Sequence, residues 1–88
     1  MAWTIEFADS ACKQLRKLDK PSARRILDFL DERIARCEDP QALGKALRGP
    51  LGEFWRYRVG DLRIICTIED RRLTILVLEV GNRREIYR

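Results

Sequence analysis

"FWRYRVGDLRIICTIEDRRLTILVLEV", residues 54–80, carries the strand pattern from which the rest of the chain can be read. β-Branched and aromatic residues fill this stretch, and turn-forming residues break it twice, at Gly60-Asp61 and at Asp70-Arg71-Arg72. Three strands are therefore expected, at about 54–59, 62–69 and 73–80, joined as an antiparallel meander. A two-residue turn at Gly60-Asp61 sets Val59 opposite Leu62 and Arg58 opposite Arg63. Side chains alternate along a strand, so Trp55, Tyr57, Leu62, Ile64, Cys66 and Ile68 share one apolar face. Arg56, Arg58 and Arg63 converge on the other face. The last strand, "LTILVLEV", is almost wholly apolar, as expected of a strand buried on both faces or lying in the sheet centre.

Arg58 and Arg63 would stand with Cβ atoms about 5 Å apart. None of the three arginines is in register with a carboxylate on the neighbouring strand. Their repulsion in water is only about 1 kcal/mol and falls with salt, so energy alone does not choose between two readings. In one, the three side chains are long and solvated. In the other, an anion such as phosphate belongs between them.

Upstream, "WTIEF" alternates with Trp3, Ile5 and Phe7 on one face, which reads as a short strand. "ADSACKQLRKL" then places Ala8, Ala11, Cys12, Leu15 and Leu18 on one helical stripe. "DKP" interrupts it, and Pro21 suits the entrance of a second helix. In that helix Ala23, Ile26, Leu27, Leu30, Ile34 and Cys37 form the apolar stripe, and Arg24, Asp28, Asp31, Glu32 and Arg36 form a solvated face. The pair reads as an antiparallel helical hairpin. "EDPQALGKALRGPLGE" is expected to be a loop with a brief extended piece at "KALRG". The order is thus strand, two helices, then three antiparallel strands. This is an α+β fold in one domain, residues 1–88, with the helices on one sheet face and the other face left for solvent or a ligand.

Composition narrows the chemistry. The chain has 88 residues, a net charge of +4 and no histidine. Lacking histidine, it has no imidazole for zinc, for a catalytic triad or for paired-histidine RNA cleavage. Its three cysteines, Cys12, Cys37 and Cys66, are far apart and at apolar-periodic positions, and are expected to be buried free thiols. Residues 1–44 carry eight basic and eight acidic residues, whereas residues 45–88 carry ten and six. All the excess charge therefore lies in the second half, where every basic residue except Lys45 is arginine. The planar arginine fork suits phosphate, so nucleic acid or an acidic partner is indicated. No apolar run is long enough to span a bilayer and no secretory signal is apparent, so a cytoplasmic protein is expected.

"EVGNRREIYR", at the end of the chain, adds Arg83, Arg84 and Tyr87. An aromatic ring beside arginines suits RNA, the ring stacking on a base while the arginines hold phosphate. Arg48, in "ALRGP", is a further candidate contact. Taken with the order of elements, "ALRGPLGEFWRYRVGDLRIIC" and "VLEVGNRREIYR" resemble the RelE toxins of bacterial type II toxin–antitoxin systems over nearly the whole chain. That resemblance implies an mRNA interferase needing no metal or other cofactor, which enters the ribosomal A site and cuts messenger by attack of a 2′-hydroxyl on the adjacent phosphate. It further implies that Arg56 and Arg58 contact the scissile region, that Arg63 stabilises the developing phosphorane, that Arg83 lies near the leaving oxygen, and that Tyr87 stacks on or orients a base. Arg48, Lys45 and Arg84 would touch RNA, and rRNA would lie alongside. A cognate antitoxin would wrap the toxin, and the complex would bind promoter DNA through the antitoxin; no membrane is involved.

The chain departs from the family pattern at three places. Asn82 stands where many relatives have histidine, and asparagine is neither acid nor base near pH 7. Leu62 stands where an aromatic residue is frequent. Arginine occupies both strand positions where some relatives carry lysine, and arginine is a poor general base. Orientation and charge stabilisation are therefore expected to carry the rate, with the general base unassigned. Two alternatives stay open: the related ParE toxins, which poison DNA gyrase and cut no RNA, and a non-catalytic antitoxin-binding module.

Overall fold

In the computed structural model, which describes residues 2–49 and 52–82, the arginine hairpin has the register its turn dictates. β3 (Gly52–Val59) and β4 (Leu62–Glu69) pair antiparallel with Val59 opposite Leu62 and Arg58 opposite Arg63. Gly60 makes the turn at a φ of +60°, a conformation that costs an L-residue about 1–2 kcal/mol. A Cβ there would also stand 2.6 Å from a guanidinium nitrogen of Arg25, which lies against the turn. Gly60→Ala is therefore expected to lower stability by about 1–2 kcal/mol in urea unfolding, with an unchanged m-value.

β4 pairs in turn with β5 (Thr74–Asn82), and β1 (Thr4–Phe7) adds to β5 in parallel, Ile5 beside Ile75 and Phe7 beside Val77. The expected meander is thus the centre of a larger, mixed sheet of order β1-β5-β4-β3-β2. β2 (Lys45–Gly49) is the correction. The stretch read mainly as a loop is a short 3-10 turn, Pro40–Leu43, followed by a full edge strand pairing Lys45 with Arg56 and Leu47 with Phe54. Asp39 starts that turn by accepting a hydrogen bond from the Gln41 N–H (3.1 Å), a local side-chain cap ahead of Pro40.

A register shift bends β5. Ile65 pairs with Glu79 but Cys66 pairs with Val77, which leaves Leu78 as an extra residue. β1 ends opposite Val77, and the start of α1 (Asp9–Lys17) takes over its role. The Ala8 N–H donates to the Val77 carbonyl (2.9 Å), the Ser10 hydroxyl to the Leu78 carbonyl (2.7 Å), and the Val80 N–H to Gln14 Oε1 (2.7 Å). Backbone groups of β5 beyond β1 are satisfied in this way.

Leu18 and Asp19 join α1 to α2 (Lys20–Phe29), whose N-terminus Asp19 caps by accepting from the Ser22 N–H (3.1 Å). α2 runs on into a π-turn at Leu30–Ile34, closed by the Ala35 N–H on the Leu30 carbonyl (2.8 Å). Ala11, Ile26, Leu30 and Ile34 are buried against Tyr57, Ile64, Cys66, Ile75, Val77 and Val80. The helices cover one sheet face, as amphipathicity requires. Leu27, placed on the buried stripe from sequence, is 43% exposed. Arg24, Asp28, Asp31, Glu32 and Arg36 do form a solvated face.

One further expectation needs adjustment, and another holds in one of its two forms. Cys66 is buried, and burial pushes its thiol pKa up to about 12, but Cys12 and Cys37 are only half-buried. β5 is an interior strand, yet it is not covered on both sides: Leu76 and Leu78 are half-buried and Glu79 is exposed. Its apolar run reflects its place between two neighbours with one face on the core. Among the described residues, no helix is long and apolar enough to cross a membrane.

Candidate anion site on the uncovered sheet face

Arg56 and Arg58 on β3 and Arg63 on β4 meet on the face away from the helices. Lys45 joins them from β2, in register with Arg56. Together with Ala42, Leu43 and Gly44 they line a concavity of about 310 Å³. Strand parity alone locates the three arginines of the cationic side. It misses the apolar side, although Asp39-Pro40, a capping residue before proline, is an available signal of an ordered turn there.

Arg63 is not a solvated side chain. It is 5% exposed, at the floor of the concavity. One terminal N–H donates to the Leu62 carbonyl (3.2 Å), but the buried Nε has no partner. Across the strand pair stands another cation, Arg58, whose Nε donates to the Gly60 carbonyl (3.3 Å). On the other side Arg63 faces Gly81, which offers no side chain. Among the described residues, no carboxylate forms an ion pair with Lys45, Arg58 or Arg63. A buried guanidinium normally has a carboxylate and a full set of acceptors, because desolvating it otherwise costs several kcal/mol. The arrangement matches a bound oxyanion, which would supply both the missing charge and the missing acceptor.

The concavity is held in shape from below. Tyr57, on the core side of β3, is fully buried and tilts against Phe29 with ring centroids 5.8 Å apart. Its hydroxyl donates to the Pro40 carbonyl (2.5 Å), which ties the 3-10 turn to the sheet. Burial drives the Tyr57 pKa well above its ordinary value, so the hydroxyl keeps its proton and remains a donor at any physiological pH. Gly44 packs into the same junction: a Cβ there would stand 2.8 Å from the Arg56 carbonyl oxygen and 2.9 Å from the Tyr57 ring.

Of the other residues singled out from sequence, Arg48 lies on β2 with its backbone in register with Glu53. Arg83, Arg84 and Tyr87 lie outside the described residues. Asn82 ends β5 opposite Leu62, with its own side chain exposed at the sheet margin.

The five-stranded mixed sheet, with two helices on one face and a cationic hairpin on the other, is an α+β architecture shared with RelE toxins of known structure. Residues 5–87 match the family model described as the ParE toxin of type II toxin-antitoxin systems, parDE, and the chain belongs to that family. It is 31% identical over 88 residues to Toxin RelG of Mycobacterium tuberculosis, covering 100% of this chain and 99% of that protein. Among solved structures it resembles a chain of the M. tuberculosis toxin-antitoxin complex RelBE2, with a TM-score of 0.85, 28% identity, and 94% and 93% of the two chains covered. A chain of the archaeal RelE–RelB complex of Pyrococcus horikoshii is similar at a TM-score of 0.69 and 25% identity, with 94% and 97% covered.

Proposed function

We propose that this toxin is a ribosome-dependent mRNA endonuclease that works in the cytoplasm. The observation that carries the reading is the buried Arg63 guanidinium, with its unpartnered Nε, in a hollow shared with Lys45, Arg56 and Arg58. Such a site is complementary to a phosphodiester, and more so to the phosphorane that forms when a neighbouring 2′-hydroxyl attacks it. That species carries an additional negative charge, and a preorganised, desolvated cation stabilises it more than the ground state. The 2′-oxygen loses its proton and forms a bond to phosphorus as the bond to the 5′-oxygen breaks, and the departing 5′-oxygen gains a proton, leaving a 2′,3′-cyclic phosphate and a 5′-hydroxyl. In this scheme Arg56 and Arg58 grip and orient the scissile region. Arg83 and Tyr87 serve the leaving oxygen and the adjacent base, and Arg48 and Arg84 hold flanking backbone. The arginines supply charge and orientation, not proton abstraction.

The similar M. tuberculosis structure is a toxin-antitoxin complex and the P. horikoshii one a RelE–RelB complex, so a cognate antitoxin is the expected partner of this chain. A partner that is acidic in part would match the cationic hollow. Its complex with the toxin would bind promoter DNA through the antitoxin.

A second reading, inhibition of DNA gyrase, is favoured by the ParE name of the matching family model. One experiment separates the two. Purified protein is added to a translating extract and the message is mapped by primer extension, while a parallel sample is assayed for gyrase supercoiling. Cleavage within ribosome-bound codons with supercoiling intact is expected. Intact message with supercoiling blocked would sink the interferase reading.

A further inference from the structure

The hollow is not uniformly cationic. Beside Lys45, Arg56, Arg58 and Arg63, it is lined by the turn that carries Ala42, Leu43 and Gly44. Leu43 is 43% exposed, one of two large apolar side chains left so open among the described residues. A site for a bare oxyanion has no use for such a wall. A nucleotide does, because its phosphate and its base demand opposite surroundings only a few ångströms apart. Resting on the reading of this hollow as an RNA phosphate site, we infer that the Pro40–Gly44 turn is its base-contacting wall. Leu43 packs on the nucleobase next to the phosphate held by Arg63, and Tyr57 is the positioning residue that fixes the wall.

Three observations support this. The wall and the arginines line one concavity of about 310 Å³, room for one nucleotide unit and little more. The wall is tied to the sheet at a buried point, the Tyr57 hydroxyl on the Pro40 carbonyl, with Gly44 seated on the Tyr57 ring. The strand that bears Tyr57 also bears Arg56 and Arg58 on its opposite face, so the distance between wall and cations is set through one rigid element. The wall is also poor in free donors, since the Ala42 and Gly44 N–H groups already donate to the Asp39 and Gln41 carbonyls (3.1 and 3.3 Å). An apolar surface of this kind contacts any base and reads none of its edges. The turn should therefore favour the presence of a base with little regard to its identity.

The test uses a tetranucleotide RNA with 2′-O-methyl groups, which cannot be cleaved, and its abasic counterpart, whose sugar-phosphate backbone is the same. Binding to the full chain is followed by fluorescence polarisation at low salt. Wild-type protein is expected to bind the base-bearing oligomer about fivefold more tightly than the abasic one. Leu43→Ala should erase that difference and leave abasic binding unchanged, and Tyr57→Phe, which keeps the ring and removes only the hydroxyl, should do the same. Arg63→Ala should weaken both oligomers alike. Equal wild-type binding of the two oligomers, with Arg63 still required, would overturn the base wall and leave the phosphate site standing. A base-dependent difference that survives Tyr57→Phe would overturn the positioning role. If wild-type protein binds neither oligomer better than Arg63→Ala does, the phosphate reading fails and this inference with it. Leu43 is exposed, so its substitution leaves the core intact, and thermal melts of both variants check the fold.

Discussion

Arg63→Ala is expected to reduce mRNA cleavage by about 10²–10³-fold without destabilising the protein. The loss follows from where the guanidinium sits: buried, at the floor of the hollow, and free to form its strongest hydrogen bonds only when negative charge arrives. Removing one preorganised donor from such a site typically costs a rate factor of that size. Stability responds differently. In the free protein the guanidinium is desolvated, opposes Arg58 and leaves Nε without an acceptor. Deleting it relieves those penalties while losing the packing of its stem, so the net change is expected to lie within about 1 kcal/mol. Arg63→Lys should recover little activity, because an ammonium offers a point charge in place of a planar fork. Primer extension on ribosome-bound message measures the first effect and thermal unfolding the second. A large fall in melting temperature for Arg63→Ala would show that the residue serves the fold and not an anion.

Tyr57→Ala is expected to have the opposite profile: loss of activity because the protein unfolds. Truncating a fully buried aromatic side chain costs about 3–5 kcal/mol through lost transfer energy and the cavity left behind. The Pro40 carbonyl would lose its partner as well, for about 1 kcal/mol more. A domain of 88 residues has only about 4–13 kcal/mol to lose. Circular dichroism in a urea series should show a midpoint lowered by about a third or more, or no folded baseline at all. A variant that remained well folded would show that Tyr57 is not a central support of the core.

The contrast between these two residues comes from strand parity. Tyr57 faces the helices and Arg63 faces away, which alternation and a two-residue turn already establish. The same logic places Arg56 and Arg58 beside Arg63. Local rules of this kind survive in the tertiary structure because a one-residue slip would turn every apolar side chain of β3 and β4 to the wrong face. The helices are equally legible, since Ile26, Leu30 and Ile34 recur at a helical interval, although the π-turn at Leu30–Ile34 and the outward Leu27 are not.

The residues that stay illegible depend on partners remote in sequence. β2 is nearly hidden among prolines and glycines, because "KALRG" becomes a strand only by pairing with β3. The parallel pairing of β1 with β5 joins Thr4 to Thr74 and Phe7 to Val77, across most of the chain, and leaves no local trace. Whether Arg63 is solvated or buried cannot be decided from charge spacing, since repulsion of about 1 kcal/mol in water permits either. Sequence alone is enough to place the cations on one sheet face, because strand periodicity is a local property of the chain. Only the folded chain shows that the 40–44 turn shares a hollow with them and that Arg63 lies there almost buried, with no carboxylate paired to it among the described residues. Burial is a property of what surrounds a side chain, and here the surroundings arrive from three different strands and a turn.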